Sequence, residues 1–177
     1  GDYNKVDPIL GSEKDLRELC EKAKKMGIRI MLDGVFSHTG DDSVYFNRYG
    51  RYDSVGAYQS KESPYFSWYN FREYPNKYES WWGFHTLPNI TEETPSYMDF
   101  IINNKDSVLH HWMECGISGW RLDVLDELPP GFSQAFYAEL KKTDPDAVML
   151  GEVWEDASNK NAYGVQREYL CGQETDS

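Results

Sequence analysis

The feature that most constrains the fold is a helical pattern followed closely by an apolar strand pattern, which occurs three times in these 177 residues. Such alternation with short connections predicts parallel strands covered by helices, and therefore an α/β fold. Nearly continuous apolar character in the strands indicates that helices or further strands cover both faces. The predicted helices cover residues 12–27, 94–116 and 132–142, and the strands that follow them cover residues 28–36, 117–123 and 147–153.

Each predicted strand ends in a carboxylate, and the second strand also carries an arginine. Side chains two residues apart share a strand face, so Arg121 and Asp123 lie on one face. Asp33 ends the first strand and Glu152 the third, while His38 follows Asp33 closely enough to lie over the same rim. Carboxyl ends of parallel strands meet at one edge of the sheet, where α/β proteins place their chemistry.

Two of these carboxylates have surroundings that suggest opposed protonation states. We expect Arg121 to lower the pKa of Asp123 and to keep it ionised, as a nucleophile or charge stabiliser requires. The apolar neighbours of Glu152 predict a dry setting, a raised pKa and a role as proton donor. A pair of carboxyl groups with these properties performs glycoside hydrolysis.

Two other interpretations of the same residues remain open. A single carboxylate at a strand end commonly caps a helix or binds a loop. Asp33, His38, Asp123 and Glu152 together are also oxygen-rich enough to hold a divalent metal in a barrel enzyme. The positive charge of Arg121 beside Asp123 argues against that second interpretation.

Residues 39–94 form a long connection without clear periodicity, and about fifteen aromatic side chains lie between Tyr45 and Phe84. A connection of this length is usually functional or a small subdomain. The aromatic residues are expected to form a small core of their own, to line a carbohydrate-binding cleft, or to do both. A fragment that binds carbohydrate without catalysis is therefore an alternative function. The predicted organisation is a barrel segment over 1–38, an inserted unit over 39–94 and a second barrel segment over 95–177.

Composition excludes several kinds of partner. A net charge of −12 argues against nucleic acid and anionic membrane surfaces. Cys20, Cys115 and Cys171 have neither disulfide-framework nor zinc-knuckle spacing. No apolar run is long enough for a membrane helix, and no signal peptide is apparent, which weakly favours a cytoplasmic location.

Three segments resemble ordered regions of the α-amylase family of glycoside hydrolases. They are DGVFSHTG (33–40), GWRLDVLDE (119–127) and GEVWED (151–156). LPNI (87–90) is similar to the additional short region of the neopullulanase and cyclomaltodextrinase branch, and Glu127 points to the same branch. The resemblance implies a partial (β/α)8 TIM barrel, about strands three to five, with an inserted small domain.

The resemblance also implies roles for individual residues. Asp123 corresponds to the nucleophile, Glu152 to the general acid and base, and Arg121 to the residue that orients Asp123. Asp33 is then mainly structural, and His38 binds the sugar before the scissile bond. Contacts on the leaving-group side are implied for Glu127 and Trp154. The expected reaction is retaining hydrolysis of α-glucosidic bonds in maltooligosaccharides, cyclodextrins or starch-like glucans.

Two departures from the family pattern limit these expectations. The 177 residues contain no His-Asp pair of the kind that supplies the family's third essential carboxylate. We therefore expect the isolated chain to be inactive, and its open sheet edges predict self-association. Ser37 stands where many relatives have an asparagine that binds structural calcium, so no cofactor is expected and calcium binding is in doubt.

Overall fold

The computed structural model describes residues 1–167, 169 and 172–177, so the thiol of Cys171 lies outside the described residues. Its α-helices and strands alternate as predicted, apart from two short antiparallel hairpins (β2–β3 and β6–β7). The elements are α1 (Glu13–Lys25), β1 (Leu32–Gly34), β2 (Phe71–Glu73), β3 (Lys77–Tyr78), α2 (Pro95–Met98), α3 (Val108–Glu114), β4 (Gly119–Leu122), α4 (Pro130–Thr143), β5 (Val148–Gly151), β6 (Asn161–Ala162) and β7 (Val165–Gln166).

The central sheet contains three parallel strands in the order β1-β4-β5. Arg121 in β4 pairs in register with Asp33 in β1 and with Leu150 in β5. This arrangement confirms the predicted α/β class, because each crossover between neighbouring strands contains helix. The described strands form an open sheet rather than a closed barrel, as expected for part of a (β/α)8 fold.

The first helix begins and ends where the sequence predicts. Ser12 Oγ accepts a hydrogen bond from the Asp15 backbone N–H at 3.3 Å, and Asp15 Oδ2 accepts from Ser12 N at 2.8 Å. These reciprocal bonds form a capping box, which satisfies donors that the first helical turn leaves free. Gly27 follows the helix with a φ of 73°, a conformation that glycine adopts without steric cost.

The second predicted helix is not continuous, which corrects the prediction of one element over 94–116. A π-helical turn over Asp99–Asn103 follows α2, and the chain is extended at Asn104 before α3 begins. Ser107 starts α3, because its side chain accepts a hydrogen bond from the His110 N–H. Asparagine and serine side chains compete for backbone hydrogen bonds, so they interrupt helices that apolar spacing alone would favour.

All three strands are shorter than predicted, and their inner face is only partly covered. Trp120, Leu122 and Met149 on the helix-facing side are buried. Met31 and Leu150, on the same face as Arg121, are 37% and 38% exposed. The prediction that both faces are covered is therefore wrong for the described residues, because no further strands lie across the inner face.

Phe36 anchors the core between the sheet and α4. Its ring lies 5.4 Å from that of Phe136 and 5.8 Å from that of Phe132, and its carbonyl accepts from the buried Tyr97 hydroxyl at 3.0 Å. Burying aromatic side chains of this size contributes much of the stability of a small core. Phe36 is two residues before His38 in the sequence. Its packing therefore fixes the start of the loop that carries the histidine.

The aromatic side chains of residues 39–94 pack largely on one another. Phe46 is fully buried, with ring centroids of Tyr78 at 4.8 Å and Tyr69 at 4.9 Å. Trp82 and Phe84 are exposed instead. The segment therefore has a small aromatic core, as one of the two hypotheses expects, and also presents aromatic faces to solvent.

The last described residues hydrogen-bond to the outer edge of β5. Asp176 N donates to the Met149 carbonyl at 2.9 Å, and Gly151 N donates to the Ser177 carbonyl at 2.8 Å. The side chain of Arg167 is fully buried nearby and forms an ion pair with Glu174. None of the helices in the described part of the chain has the length and apolar character needed to cross a membrane.

Candidate active site

Arg121 lies at the centre of the predicted rim and contacts all three strand-end carboxylates. Its Nη1 donates to Asp33 Oδ1 at 2.6 Å and to Asp123 Oδ1 at 2.8 Å. Its Nη2 lies 2.7 Å from Glu152 Oε1. One guanidinium therefore spans the carboxylates of Asp123 and Glu152 and holds them near each other.

Backbone hydrogen bonds between the strands set this arrangement. Asp123 N donates to the Gly34 carbonyl at 3.0 Å, and Glu152 N donates to the Leu122 carbonyl at 3.0 Å. These bonds continue the parallel pairing just past the strands, so both carboxylates leave the same edge of the sheet.

Val124 makes an unusual turn immediately after Asp123. Its φ of 38° and ψ of 58° lie in the left-handed region, which a β-branched residue rarely occupies. Its N–H donates to Glu152 Oε2 at 3.0 Å. Conformations of this kind cluster at functional sites, where the surrounding structure maintains the strain. The turn thus gives Glu152 a second fixed partner besides Arg121.

The pKa of Asp123 is raised, which contradicts the predicted direction. Desolvation by burial is the largest cause, and the nearby charges of Glu152 and Asp33 act in the same sense. The hydrogen bond from Arg121 opposes these effects without overcoming them. The sequence identified the partner of Asp123 correctly, but the arginine is shared among three carboxylates, so its influence on each is diluted.

The pKa of Glu152 is lowered, again opposite to the prediction. The hydrogen bond from the Val124 N–H is the largest cause, and Trp154 and Arg121 also stabilise the ionised form. The predicted dry setting is absent, since 30% of the Glu152 side chain is exposed. The apolar residues that suggested a dry setting lie on β5. Glu152 follows the end of that strand, and its side chain extends toward solvent.

His38 lies beside the carboxylates, as the sequence predicts. Burial lowers its pKa, while the charges of Asp123 and Glu127 act in the opposite direction. Its Nδ1 is 2.9 Å from Ser37 Oγ, and its ring stacks on Trp81 at 5.2 Å. A neutral imidazole held in this way can donate or accept one hydrogen bond to a sugar hydroxyl.

Glu127 and Trp154 lie on an aromatic wall that the sequence did not resolve residue by residue. Trp81 Nε1 donates to Glu127 Oε2 at 2.6 Å, and Trp82 Nε1 donates to Glu127 Oε1 at 2.9 Å. The ring of Trp154 lies 5.5 Å from that of Trp82. The adjacent tryptophans in the aromatic stretch were visible in the sequence, but nothing in their spacing indicated that they clamp a distant glutamate.

Glu92 is a buried carboxyl group that sequence reasoning missed. Burial raises its pKa to about 8, and the charges of Glu93 and Glu127 add to the effect. It lines a cavity together with Trp81, Asn89 and Tyr163. Nothing in its local sequence distinguishes it from the exposed glutamate that follows it.

Stability should fall as pH rises because of Glu92. Its folded-state pKa lies above the unfolded value of 4.5, so the folded state holds an extra proton between pH 4.5 and about 8. We expect the contribution of Glu92 to the free energy of unfolding to be fully present below pH 4.5. Between pH 4.5 and about 8 this contribution should decline by about 1.4 kcal/mol per pH unit. Urea unfolding of the chain and of Glu92→Gln at pH 5, 6, 7 and 8 measures the difference; parallel pH profiles for the two proteins would contradict it.

In the part of the chain that the structure describes, the rim residues do not form a cluster of ligand atoms that could hold a metal ion. Among residues 1–167, 169 and 172–177, the His, Cys, Asp and Glu side chains that converge are Glu13, His111 and Cys115. The rim carboxylates converge on Arg121 instead, which favours the ion-pair interpretation over the metal interpretation. The expectation of no cofactor, with Ser37 in place of a calcium-binding asparagine, stays a prediction.

Parallel strands whose carboxyl ends present an arginine-bridged carboxylate pair define an α/β barrel-type protein with the side chains of a glycoside hydrolase. A family profile described as Alpha amylase, catalytic domain, matches residues 1–170. The chain belongs to the alpha-amylase family. The predicted family is therefore confirmed, as is its neopullulanase-like character, since the similar proteins include neopullulanases and cyclomaltodextrinases.

Individual relatives share between a quarter and two fifths of the residues. Amylopullulanase of Thermoanaerobacterium saccharolyticum is 40% identical over 178 residues, covering 89% of this chain and 14% of that protein. Neopullulanase 2 of Thermoactinomyces vulgaris is 31% identical, covering 99% of this chain and 28% of that protein. The structure of the type III pullulan hydrolase from Thermococcus kodakarensis matches with a TM-score of 0.80 and 31% identity, covering 99% of this chain and 28% of that chain. The chain thus spans less than a third of the length of these relatives.

Proposed function

We propose that these residues form the central part of a retaining glycosidase site for α-glucans. The observation that carries the proposal is the guanidinium of Arg121, which contacts both Asp123 at 2.8 Å and Glu152 at 2.7 Å. Retaining glycosidases need two carboxyl groups about 5–5.5 Å apart, one to attack and one to transfer a proton. A single side chain that bridges both groups supports a spacing of this order.

In the proposed reaction Asp123 attacks the anomeric carbon while Glu152 protonates the glycosidic oxygen. The carbon–oxygen bond breaks, the leaving sugar departs as an alcohol, and a glycosyl ester of Asp123 remains. Glu152, now ionised, removes a proton from water, whose oxygen attacks the same carbon and releases Asp123. Two inversions at one carbon retain the configuration. Arg121 keeps Asp123 oriented, and Asp33 positions Arg121 from the neighbouring strand.

Glu152 needs a higher pKa for this role than the unliganded site gives it. We propose that a bound glucan supplies the change by covering the exposed part of the carboxyl group. Removing water disfavours the ionised form and raises the pKa of a carboxyl group. The exposed ring of Trp154, which also stabilises ionised Glu152, is suitably placed to stack on the incoming sugar.

The proposed substrates are chains of α-linked glucose, as the names of the relatives suggest. The Thermococcus enzyme is named as a pullulan hydrolase, and several similar proteins are named as cyclomaltodextrinases. Exposed faces of Trp82 and Trp154 offer the flat apolar surfaces on which sugar rings stack. The carboxylate of Glu127, held by both indole N–H groups, has lone pairs left to accept from sugar hydroxyls on the leaving-group side.

The isolated chain is proposed to bind glucan without turning it over. Its sheet contains three strands and leaves Met31 and Leu150 exposed on the face that should line a barrel. The family resemblance implies a third carboxylate from a strand that these residues do not include. Without it, the charge that develops on the sugar in the transition state lacks part of its stabilisation. We therefore expect the isolated chain to bind carbohydrate without catalysis. The same residues are expected to catalyse hydrolysis when they form part of a closed barrel.

The test uses a chimera in which residues 1–177 replace the matching segment of the Thermoactinomyces neopullulanase. We expect Glu152→Gln in the chimera to lose at least about 100-fold in kcat/KM on maltotriose, since general acid catalysis contributes roughly 10²–10⁴-fold. On α-maltosyl fluoride the loss in the glycosylation step should be below about tenfold, because fluoride leaves without protonation.

Glu155→Gln is the matched control, since Glu155 is an exposed glutamate three residues further on. It should leave both activities unchanged. Equal losses on maltotriose and on the fluoride in Glu152→Gln would contradict the assignment of Glu152 as the acid. Full activity of that variant on both substrates would contradict the proposed function itself.

Self-association of the 177-residue chain is a separate expectation. Apolar side chains on the open face and at the first loop, including Ile9, Leu10, Met31 and Leu150, are exposed. Exposed apolar side chains and the outer edge of β1, at the end of the sheet, favour pairing with a second copy. We expect sedimentation velocity at tens of micromolar to show species larger than 20.6 kDa. A stable monomer across that range would contradict this expectation.

A further inference from the structure

We propose that Glu13, His111 and Cys115 form a binding site for a zinc-type divalent cation, separate from the glycosidase rim. The three side chains each bring one ligand atom to a common point, and these atoms all lie within 4.8 Å of one another. A bound Zn²⁺ needs nitrogen, sulfur and oxygen ligands at about 2.0–2.3 Å. Small rotations of side chains that already converge this closely would meet that requirement.

The geometry follows from two neighbouring helices. His111 and Cys115 are four residues apart at the end of α3, so they lie on the same side of that helix. Glu13 begins α1 and approaches them from the adjacent helix, with its Oε2 3.3 Å from His111 Nε2. A cation at this point would connect α1 to α3.

A nitrogen of the cluster is buried without a well-aligned hydrogen bond: the nearest acceptor of His111 Nε2 is Glu13 Oε2 at 3.3 Å. Buried polar atoms normally have a partner, and one without a partner commonly marks an ion or a water. A metal bound to Nε2 would satisfy the nitrogen and the carboxylate together.

Outside the cluster Glu13 uses one of its two carboxylate oxygens, while within the cluster the Cys115 thiol hydrogen-bonds to Glu13. Arg17 donates to Glu13 Oε1 from Nε at 3.0 Å and from Nη2 at 2.8 Å. Oε2 faces His111 instead, so Glu13 can bind a metal without losing its ion pair with Arg17.

Charge balance determines how the site would bind. The buried thiol of Cys115 loses its proton to solvent as the sulfur–metal bond forms, so the thiolate and Glu13 together offset the cation. Arg17 adds a positive charge nearby and limits affinity. The mixed imidazole, thiolate and carboxylate set suits Zn²⁺ or Co²⁺ rather than Ca²⁺ or Mg²⁺, which prefer oxygen ligands alone. Affinity should rise as pH rises, because binding releases a proton.

Cobalt titration of the chelator-treated 177-residue chain tests the site. We expect about one Co²⁺ per chain, with a thiolate-to-cobalt charge-transfer band that added Zn²⁺ removes. Cys115→Ser should lose the band, and His111→Ala should weaken Co²⁺ binding at least tenfold. Cys20→Ser, which removes the other buried thiol of the described residues, should keep the band and the affinity.

Arg17→Met gives a readout that a purely structural cluster would not produce. Removing the nearby positive charge should tighten Co²⁺ binding, whereas loss of a structural ion pair alone would leave it unchanged or weaken it. Absence of the charge-transfer band in the unmodified chain would overturn the proposal without relying on any variant. Survival of the band in Cys115→Ser, or looser binding in Arg17→Met, would overturn it as well.

Discussion

Replacing Asp123 with asparagine should abolish turnover in the chimera that carries residues 1–177. Asparagine has nearly the same shape and can still contact Arg121, but its amide cannot form a glycosyl ester and leave again. Loss of a nucleophile is expected to lower kcat by at least about 10³-fold, equivalent to about 4 kcal/mol of transition-state stabilisation. Unlike Glu152→Gln, this variant should be equally impaired on α-maltosyl fluoride, since attack on carbon is required whatever group leaves.

The control for this prediction is Asp106→Asn, the same substitution at an exposed aspartate in the turn before α3. Initial rates on maltotriose and on the fluoride measure both variants. Asp106→Asn should match the unmodified chimera on each substrate. Retention of more than about a tenth of kcat in Asp123→Asn, on either substrate, would contradict a nucleophilic role.

Replacing Arg167 with methionine should destabilise the chain by about 3–5 kcal/mol, the usual cost of removing one partner from a buried ion pair. Arg167 is fully buried and forms an ion pair with Glu174, whose side chain is 2% exposed. Its Nη1 also donates to the Leu128 carbonyl at 3.0 Å. The substitution removes the positive charge beside a buried carboxylate and one donor of a backbone carbonyl, while methionine fills much of the same volume.

The double variant Arg167→Met with Glu174→Leu separates charge from packing. Replacing both members of a buried pair with apolar residues is often neutral or stabilising. We expect the double variant to recover at least half of the lost free energy of unfolding, measured by urea denaturation. The hydroxyl of Ser133 limits full recovery, because it loses the short bond to Glu174 Oε2 at 2.6 Å and keeps only longer ones such as that to the Pro130 carbonyl at 3.2 Å. A loss below about 1 kcal/mol in Arg167→Met would mean that the pair contributes no more than an exposed one.

Those parts of the fold that depend on local pattern could be predicted from the sequence. The start of α1 at Ser12, the glycine after α1 and the parallel direction of the strands all follow from residue type and spacing. Strand parity placed Arg121 on the same face as Asp123, and the parallel strands placed Asp33 at the same rim; the hydrogen bonds from Arg121 to both carboxylates confirm these predictions. The break before α3 was missed because apolar spacing continues across it, while the polar residues that cause it act through specific hydrogen bonds.

The electrostatics of the site could not be predicted, because they depend on contacts between distant segments. Arg121 contacts three carboxylates rather than one, and the number of its partners cannot be deduced from the sequence. The Val124 N–H that lowers the pKa of Glu152 is available only because Val124 adopts a left-handed conformation. The same limit applies to the clamp that Trp81 and Trp82 form on Glu127, some 45 residues away in sequence.

Identification of the residue that forms the covalent intermediate would test the central claim most directly. The active chimera is treated with an α-glucosyl epoxide, a reagent that esterifies the nucleophile of a retaining enzyme, and its peptides are sequenced by mass spectrometry. We predict one molecule of the reagent joined to Asp123 as an ester at the opened epoxide carbon, with none in Asp123→Asn. Modification of Glu152 instead, or loss of activity without modification of any carboxylate, would contradict the proposed roles of the two residues.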